Sequence, residues 1–250
     1  MKVIFNGEVL DTQQAQVFES GWLDGEGIFE TIKTVKNMPY ALARHLDRGL
    51  RSAGQLSIAM PLQEEIMKGV ADLLLAQRQE NGMLRICFDN KSNWLAVHMP
   101  YVDSAVALDL RVDPTVVVGQ MHKTFPYKHR IEILENARLS GFDDAITVNS
   151  QGNLSEGSVT NLIVHLDGRW ITPPVTDGLL PGIMRELLIE NELVGIESIP
   201  LRRIEDITSA FLISSVRLAQ PISSIDSRAL HLSHAFGQEI HALAHKYSVG

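Results

Sequence analysis

His122 to Arg185 reads HKTFPYKHRIEILENARLSGFDDAITVNSQGNLSEGSVTNLIVHLDGRWITPPVTDGLLPGIMR, and this stretch decides the fold. It sets Lys123 beside His122, then a run with helical spacing from Arg130 to Leu139, a short apolar strand from Ala145 to Val148, and a turn at Ser150-Gln151-Gly152-Asn153. An acidic loop, Leu154 to Asn161, carries Glu156. Leu162 to Leu166 and Trp170 to Thr172 are expected to pair as a hairpin about Asp167-Gly168, a dipeptide suited to a tight turn. Leu180-Pro181-Gly182 then introduces a helix predicted from Ile183 to Leu193. The interleaving of strands and helices predicts an α/β (α+β) fold.

Outward from this stretch the pattern continues. Toward the N-terminus, Lys2 to Phe5 and Glu8 to Leu10 flank Asn6-Gly7, a hairpin signal. Gly21, Gly25 and Gly27 precede a β-rich run from Ile28 to Val35; a dinucleotide-binding loop would need a helix there instead, so that reading is rejected. Ala41 to Gly54 predicts an amphipathic helix with Leu42, Leu46 and Leu50 on one face, and Leu62 to Glu80 a second helix stopped by Asn81-Gly82. Met83 to Phe88, Trp94 to Met99 and Ala105 to Val112 read as strands, Val116 to Val118 as a lead toward the lysine, and Ala210 to Ile213 as a further strand. Leu230 to Tyr247 reads as a closing helix. Two lobes are expected, 1–112 and 113–250, the second and larger carrying Lys123.

Composition excludes several classes of function. The chain has 250 residues, 45% of them hydrophobic and 21% charged, enough for a sizeable core. A formal charge of -8 without a basic stripe argues against nucleic acid as a partner, so an anionic substrate would need local arginines. No apolar run approaches the ~20 residues that span a bilayer, and no leader pattern opens the chain, so neither membrane insertion nor export is expected. The single cysteine, Cys87, lies in an apolar run and is expected to be a buried small residue in a cytoplasmic protein. His241 and His245 have the i, i+4 spacing of a metal pair, but no glutamate lies between them and no third ligand is assured, so no metal site is expected. Trp22, Trp94 and Trp170 are scattered and read as core or cleft walls.

A lysine, a fixed carboxylate and a helix start beside a glycine together suit an aldehyde cofactor with a phosphate tail and a basic ring nitrogen. Six motifs carry a resemblance: GWLDGEGIFETIKT, HLDRGLRSAG, HKT, LSEGSVTN, GLLPGIMR and the late loop SSVRLAQPI, spread over nearly the whole chain. In this order they resemble the class IV (fold type IV) pyridoxal phosphate enzymes, the family of branched-chain aminotransferases, D-amino-acid aminotransferases and aminodeoxychorismate lyases. The resemblance implies a two-lobe, D-amino-acid aminotransferase-like fold, pyridoxal 5′-phosphate as cofactor, and a homodimer whose cleft is completed by a loop from the partner subunit.

It also implies roles. Lys123 and Lys128 both compete for the imine with the cofactor aldehyde; Lys123 precedes Glu156 by 33 positions (156 minus 123), matching the family, and is chosen. Freed, its amine would act as general base. Glu156 would face the ring nitrogen and keep its proton in place. Glu26 and Glu30 are given no catalytic role. The backbone N–H groups of Ile183 and Met184 would hold the phosphate, with Arg48 adding a charge-assisted contact from the other lobe and Ser215, or Ser214, a hydroxyl. Arg217 is the first choice for a substrate carboxylate, with Arg85 and Arg111 as others.

One departure bears on the reaction. Branched-chain aminotransferases carry a tyrosine a few residues after the lysine; here Tyr127 comes one position early and Lys128 takes its place. The HKT context resembles the aminodeoxychorismate lyases, which convert 4-amino-4-deoxychorismate to 4-aminobenzoate and pyruvate. The alternatives are a class IV aminotransferase acting on branched-chain or D-amino acids, and a catalytically inactive cofactor-binding protein.

Overall fold

The computed structural model describes residues 1–15, 22–116 and 121–247. Gly21, Val117 and Val118, which entered the sequence reading, lie outside them. The chain forms two compact units, Met1–Val102 with His122–Pro126 and His245–Gly250, and Asp103–Met121 with Tyr127–Ala244. The first unit runs to Val102 and takes in the segment bearing Lys123. The region around residue 112 continues one strand, Leu108–Val116, and offers no break there.

The first unit is an antiparallel sheet in the order Glu8–Asp11, Lys2–Phe5, Trp94–Pro100, Asn81–Asp89, Gly27–Val35, Met38–Pro39, with Thr124–Phe125 added to Gly27–Val35. Asn6 and Gly7 turn the first hairpin with φ of 50° and 90°, the left-handed region that Asn-Gly tolerates. Alternation puts Ile28 and Ile32 on one face of Gly27–Val35, Leu84 and Ile86 on the same face of Asn81–Asp89. The helices Leu42–Leu56 and Gln63–Ala76 cover that face with Leu42, Leu46, Ile66, Val70 and Leu73. Each such fully buried side chain contributes roughly 1.5–3 kcal/mol.

The second unit is built on a closed ring of strands. Asn161–Leu166, Ser209–Ser214, Leu218–Ile225, Leu108–Val116, Asp144–Val148 and Asn153–Gly157 pair in that order, and Asn153–Gly157 returns to Asn161–Leu166. That return rests on one register pair, Glu156 with Asn161. Every strand of the ring sends residues to a common core: Leu162 and Val164, Ala210 and Leu212, Ile222, Leu110, Ile146 and Leu154. The helix Lys128–Leu139 packs beside Asp144–Val148, with Ile133 and Ala137 against Ala145. The hairpin about Asp167-Gly168 forms as expected, between Asn161–Leu166 and Arg169–Thr172.

Two expectations are corrected. Glu156 lies on a strand, Asn153–Gly157, and not in a loop. The segment read as a late loop, around Arg217, continues into the central strand Leu218–Ile225. Among the described residues no helix is long and apolar enough to cross a membrane.

Candidate active site

Lys123 is fixed by the backbone on both sides. Thr124–Phe125 pairs with Gly27 and Ile28, and the Phe29 N–H donates to the Lys123 carbonyl at 2.9 Å. Glycine is required at position 27, because a Cβ there would lie 2.1 Å from the Phe88 carbonyl oxygen and 2.6 Å from the Phe125 ring. The Lys123 Nζ lies 4.6 Å from the centroid of the Phe29 ring, an apolar wall with a negative face. His122 is tied to the helix Leu42–Leu56 through Nδ1 and Ser52 Oγ, 3.1 Å apart.

Lys128, the competing lysine, is 81% exposed in its side chain and lies 3.8 Å from Glu132 on its own helix. Cys87 is buried, and burial pushes its thiol up to about 12, so it is no thiolate at neutral pH.

Arg48 lies on the same helix with its guanidinium forked onto Glu30, Nε to Oε1 at 2.8 Å and NH2 to Oε2 at 2.6 Å. His45 Nδ1 is 2.6 Å from the same Oε2. All three are buried. Burial alone would raise the Glu30 pKa, but the Arg48 and His45 charges and their hydrogen bonds outweigh it and bring it down to about 2. Burial, opposed by Glu30, holds His45 below its usual range, with the charge of Lys123 also disfavouring its protonation. Glu30 is therefore a structural acid that holds Arg48 in place. Arg85, on Asn81–Asp89, lies over Trp22 at 4.1 Å from the ring centroid, and burial lowers its pKa.

In the second unit three donors converge on Glu156. Arg130 NH2 donates to Oε1 at 2.5 Å; Asn161 Nδ2 and the Leu180 N–H donate to Oε2, each at 3.1 Å. Asn161 Nδ2 also donates to the Leu180 carbonyl at 2.8 Å, tying the strand Asn161–Leu166 to the entry of the helix Ile183–Glu190. Gly182 caps that helix, and a Cβ on it would fall 2.0 Å from Asn161 Oδ1. The N–H groups of Ile183 and Met184, in the first turn, have no acceptor within the helix.

Ser214 ends the strand Ser209–Ser214, and its Oγ accepts from the Arg217 N–H at 3.1 Å; Ser215 follows in the turn. Arg217 NH1 lies 3.3 Å from Asp144, a fully buried carboxylate that also accepts from the Ala145 N–H and from Ser158. Arg111 NH1 donates to Ser140.

The residues fit a phosphate-bearing pyridine aldehyde. The glycine cradle at position 182 keeps Glu156, Asn161 and the helix start together, and the buried hydroxyls of Ser155 and Thr160 on either side of Glu156 have no hydrogen-bond partner among the described residues. Among those residues no group of three or more His, Cys, Asp or Glu could hold a metal ion.

Replacing Gly182 by alanine pushes Asn161 off Glu156 and Leu180. Losing a hydrogen bond to a charged group costs about 1.5–3 kcal/mol, so cofactor affinity is expected to fall roughly ten- to hundredfold with the far-ultraviolet circular dichroism unchanged. Titration of the apoprotein with cofactor, followed by absorbance, reads this directly.

Sequence reasoning missed Arg130, His45 and the Leu180 N–H. Signals for two of them were present. Arg130 falls on the buried stripe with Ile133, Leu134 and Ala137, and Glu30 interrupts the apolar face of Ile28 and Ile32, so each buried charge demands a partner.

The model of the amino-transferase class IV family matches residues 27–225, most of the chain. A protein of Methanocaldococcus jannaschii, provisionally named a branched-chain-amino-acid aminotransferase, is 26% identical over 92% of this chain and 90% of its own length. One of Schizosaccharomyces pombe, provisionally named an aminodeoxychorismate lyase, is 26% identical over 72% of this chain and 75% of its own. The crystal structure of the branched-chain aminotransferase from Thermoproteus uzoniensis, with norvaline, superposes with a TM-score of 0.88 at 26% identity, covering 100% of this chain and 95% of that one. The fold is that of the fold type IV enzymes, and the chain belongs to the class IV aminotransferase family, with pyridoxal 5′-phosphate as its cofactor.

Proposed function

We propose that the protein is a lyase that converts 4-amino-4-deoxychorismate to 4-aminobenzoate and pyruvate. The observation that favours this over branched-chain transamination is the fate of the position where those aminotransferases carry their tyrosine: Lys128 stands there, exposed and paired with Glu132, and cannot supply a phenol to the cofactor. The likeness to a lyase relative over most of both chains supports it. The second reading, an aminotransferase, is favoured by the relative from Methanocaldococcus jannaschii, which covers 92% of this chain, and by the Thermoproteus uzoniensis structure, which covers 100% of it.

In this reading Lys123 would hold the cofactor aldehyde through its amine, and the same amine would serve as the base that takes the proton from the substrate carbon. Pyridoxal phosphate, when bound, supplies the electron sink for that proton loss. Glu156 faces the ring nitrogen. The Ile183 and Met184 N–H groups, Arg48 and the Ser215 hydroxyl, with Ser214 as the alternative, hold the phosphate. Arg217, whose NH1 lies 3.3 Å from Asp144, takes a substrate carboxylate, with Arg85 and Arg111 as the other choices. The working form is a cytoplasmic homodimer; sedimentation of a fully active monomer would overturn that.

The deciding assay offers aminodeoxychorismate on one hand and a branched-chain or D-amino acid with a keto acid on the other. Pyruvate release from the first with no amino transfer from the second is expected. Keto-acid-dependent amino transfer without pyruvate release selects the aminotransferase, and a bound cofactor with neither activity makes the protein a non-catalytic binder.

A further inference from the structure

Arg130 is a buried cation to which the family resemblance gave no role. It lies on Lys128–Leu139 at 4% exposure, on the stripe that buries Ile133, Leu134 and Ala137. A guanidinium on an apolar stripe is costly unless it is paired. Its terminal NH2 donates to Glu156 Oε1, while NH1 is buried with no hydrogen-bond partner among the described residues. An arginine that served to staple the helix to its neighbours would place NH1 on a backbone carbonyl. This one reaches Glu156 and leaves its other amino group unused. The second carboxylate oxygen is meanwhile fixed by Asn161 and the Leu180 N–H, so the carboxylate is clamped from both ends.

We propose that Arg130 is a positioning residue of the cofactor site: its guanidinium keeps Glu156 a carboxylate, so that the proton between Glu156 and the cofactor's ring nitrogen stays on the nitrogen. This rests on the assignment of Glu156 to the ring nitrogen made above. A proton shared by a carboxylate and a pyridine nitrogen has two homes. In a dry site the uncharged arrangement, acid beside neutral pyridine, competes with the ion pair because separated charge is poorly solvated there. A fixed positive charge in direct contact with the carboxylate lowers the proton affinity of that carboxylate more than that of the base beyond it, and so selects the ion pair. Asn161 and Leu180 aim the carboxylate; Arg130 sets which partner holds the proton.

The test reads the proton itself. Holoenzyme is reconstituted with pyridoxal phosphate labelled with nitrogen-15 in the ring, and the nitrogen chemical shift is recorded at neutral pH for the wild type, Glu156→Gln, Arg130→Met and Arg130→Lys. The wild type is expected at the protonated position. Glu156→Gln and Arg130→Met both move toward the unprotonated position, and Arg130→Lys returns toward the wild type. Turnover in Arg130→Met falls roughly ten- to a hundredfold, as expected for a shift of one to two pKa units in the balance.

A shift that moves in Glu156→Gln but not in Arg130→Met makes Arg130 a purely structural ion-pair partner and overturns the proposal. A shift that moves in neither removes Glu156 from the ring nitrogen, and the proposal goes with it. Should Arg130→Met fail to fold or to keep its cofactor, Arg130→Gln, which retains a donor without the charge, takes its place: a nitrogen shift that moves supports the proposal, and one that stays at the wild-type position overturns it.

Discussion

Lys123→Ala is expected to lose the cofactor adduct that borohydride fixes and to lower turnover by about 10⁴-fold, the upper range for removal of a general base. The side chain is the only one proposed to act both as anchor and as base, and the backbone around it is held by Phe29 and by the pairing of Thr124–Phe125 with Gly27–Ile28. A small residue there leaves that scaffold intact, so the loss is chemical and the melting temperature of the apoprotein stays near the wild type. Lys128→Ala, at an exposed pair worth little, is expected to change neither quantity by more than about twofold. Mass spectrometry of the reduced, digested protein decides between the two: a tag on the Lys128 side chain would overturn the assignment.

Glu30→Ala should have the largest effect on stability. It removes the shared acceptor of Arg48 and His45 and leaves a guanidinium buried without its counter-charge. Breaking one side of a buried pair costs about 3–5 kcal/mol, which for a chain of this size lowers the melting temperature by roughly 6–20 °C. The same pair gives a pH signature. The carboxyl titrates near 2 in the folded protein, below its ordinary value of 4.5. The folded state therefore binds this proton less readily than the unfolded chain. The contribution of the pair is complete above pH 4.5 and is lost as pH falls toward 2. Denaturant midpoints of the wild type and Glu30→Ala should converge over that interval and stay parallel above it; a gap that persists at the acid end would place the stabilisation elsewhere.

Much of the first unit was legible because its signals are local. Asn6-Gly7 needs only its own backbone to make a turn, and Ile28 to Val35 is rich enough in β-branched residues to be read without neighbours. The helix start at Ile183 was announced by Pro181 and Gly182 in the same way. What was illegible depends on partners distant in sequence. Leu218–Ile225 contains Pro221 and a serine pair and begins at a residue with φ of 59°, so it has the composition of a loop; Ser209–Ser214 on one side and Leu108–Val116 on the other make it a strand. Glu156 suffers the same fate, since Ser155-Glu156-Gly157 shows no apolar alternation and becomes extended only by the pairing of Glu156 with Asn161 and of Gly157 with Ile146. The second helix was read too long because Asn81-Gly82 marks the start of a strand and Gln77 already ends the helix. Lys123 was chosen through the family resemblance, while Arg130 lies only seven positions on and went unassigned because its ion pair appears only once Glu156 is seen beside it.

The closure of the second unit through Glu156 and Asn161 has a bearing on evolution by substitution. The two residues whose register pair finishes the cylinder also share a hydrogen bond, Asn161 Nδ2 to Glu156 Oε2, and Glu156 is the acid proposed to face the cofactor's ring nitrogen. A change at either position is screened twice, once by whether the wall stays shut and once by whether chemistry proceeds, so drift toward a new substrate has to enter through other residues.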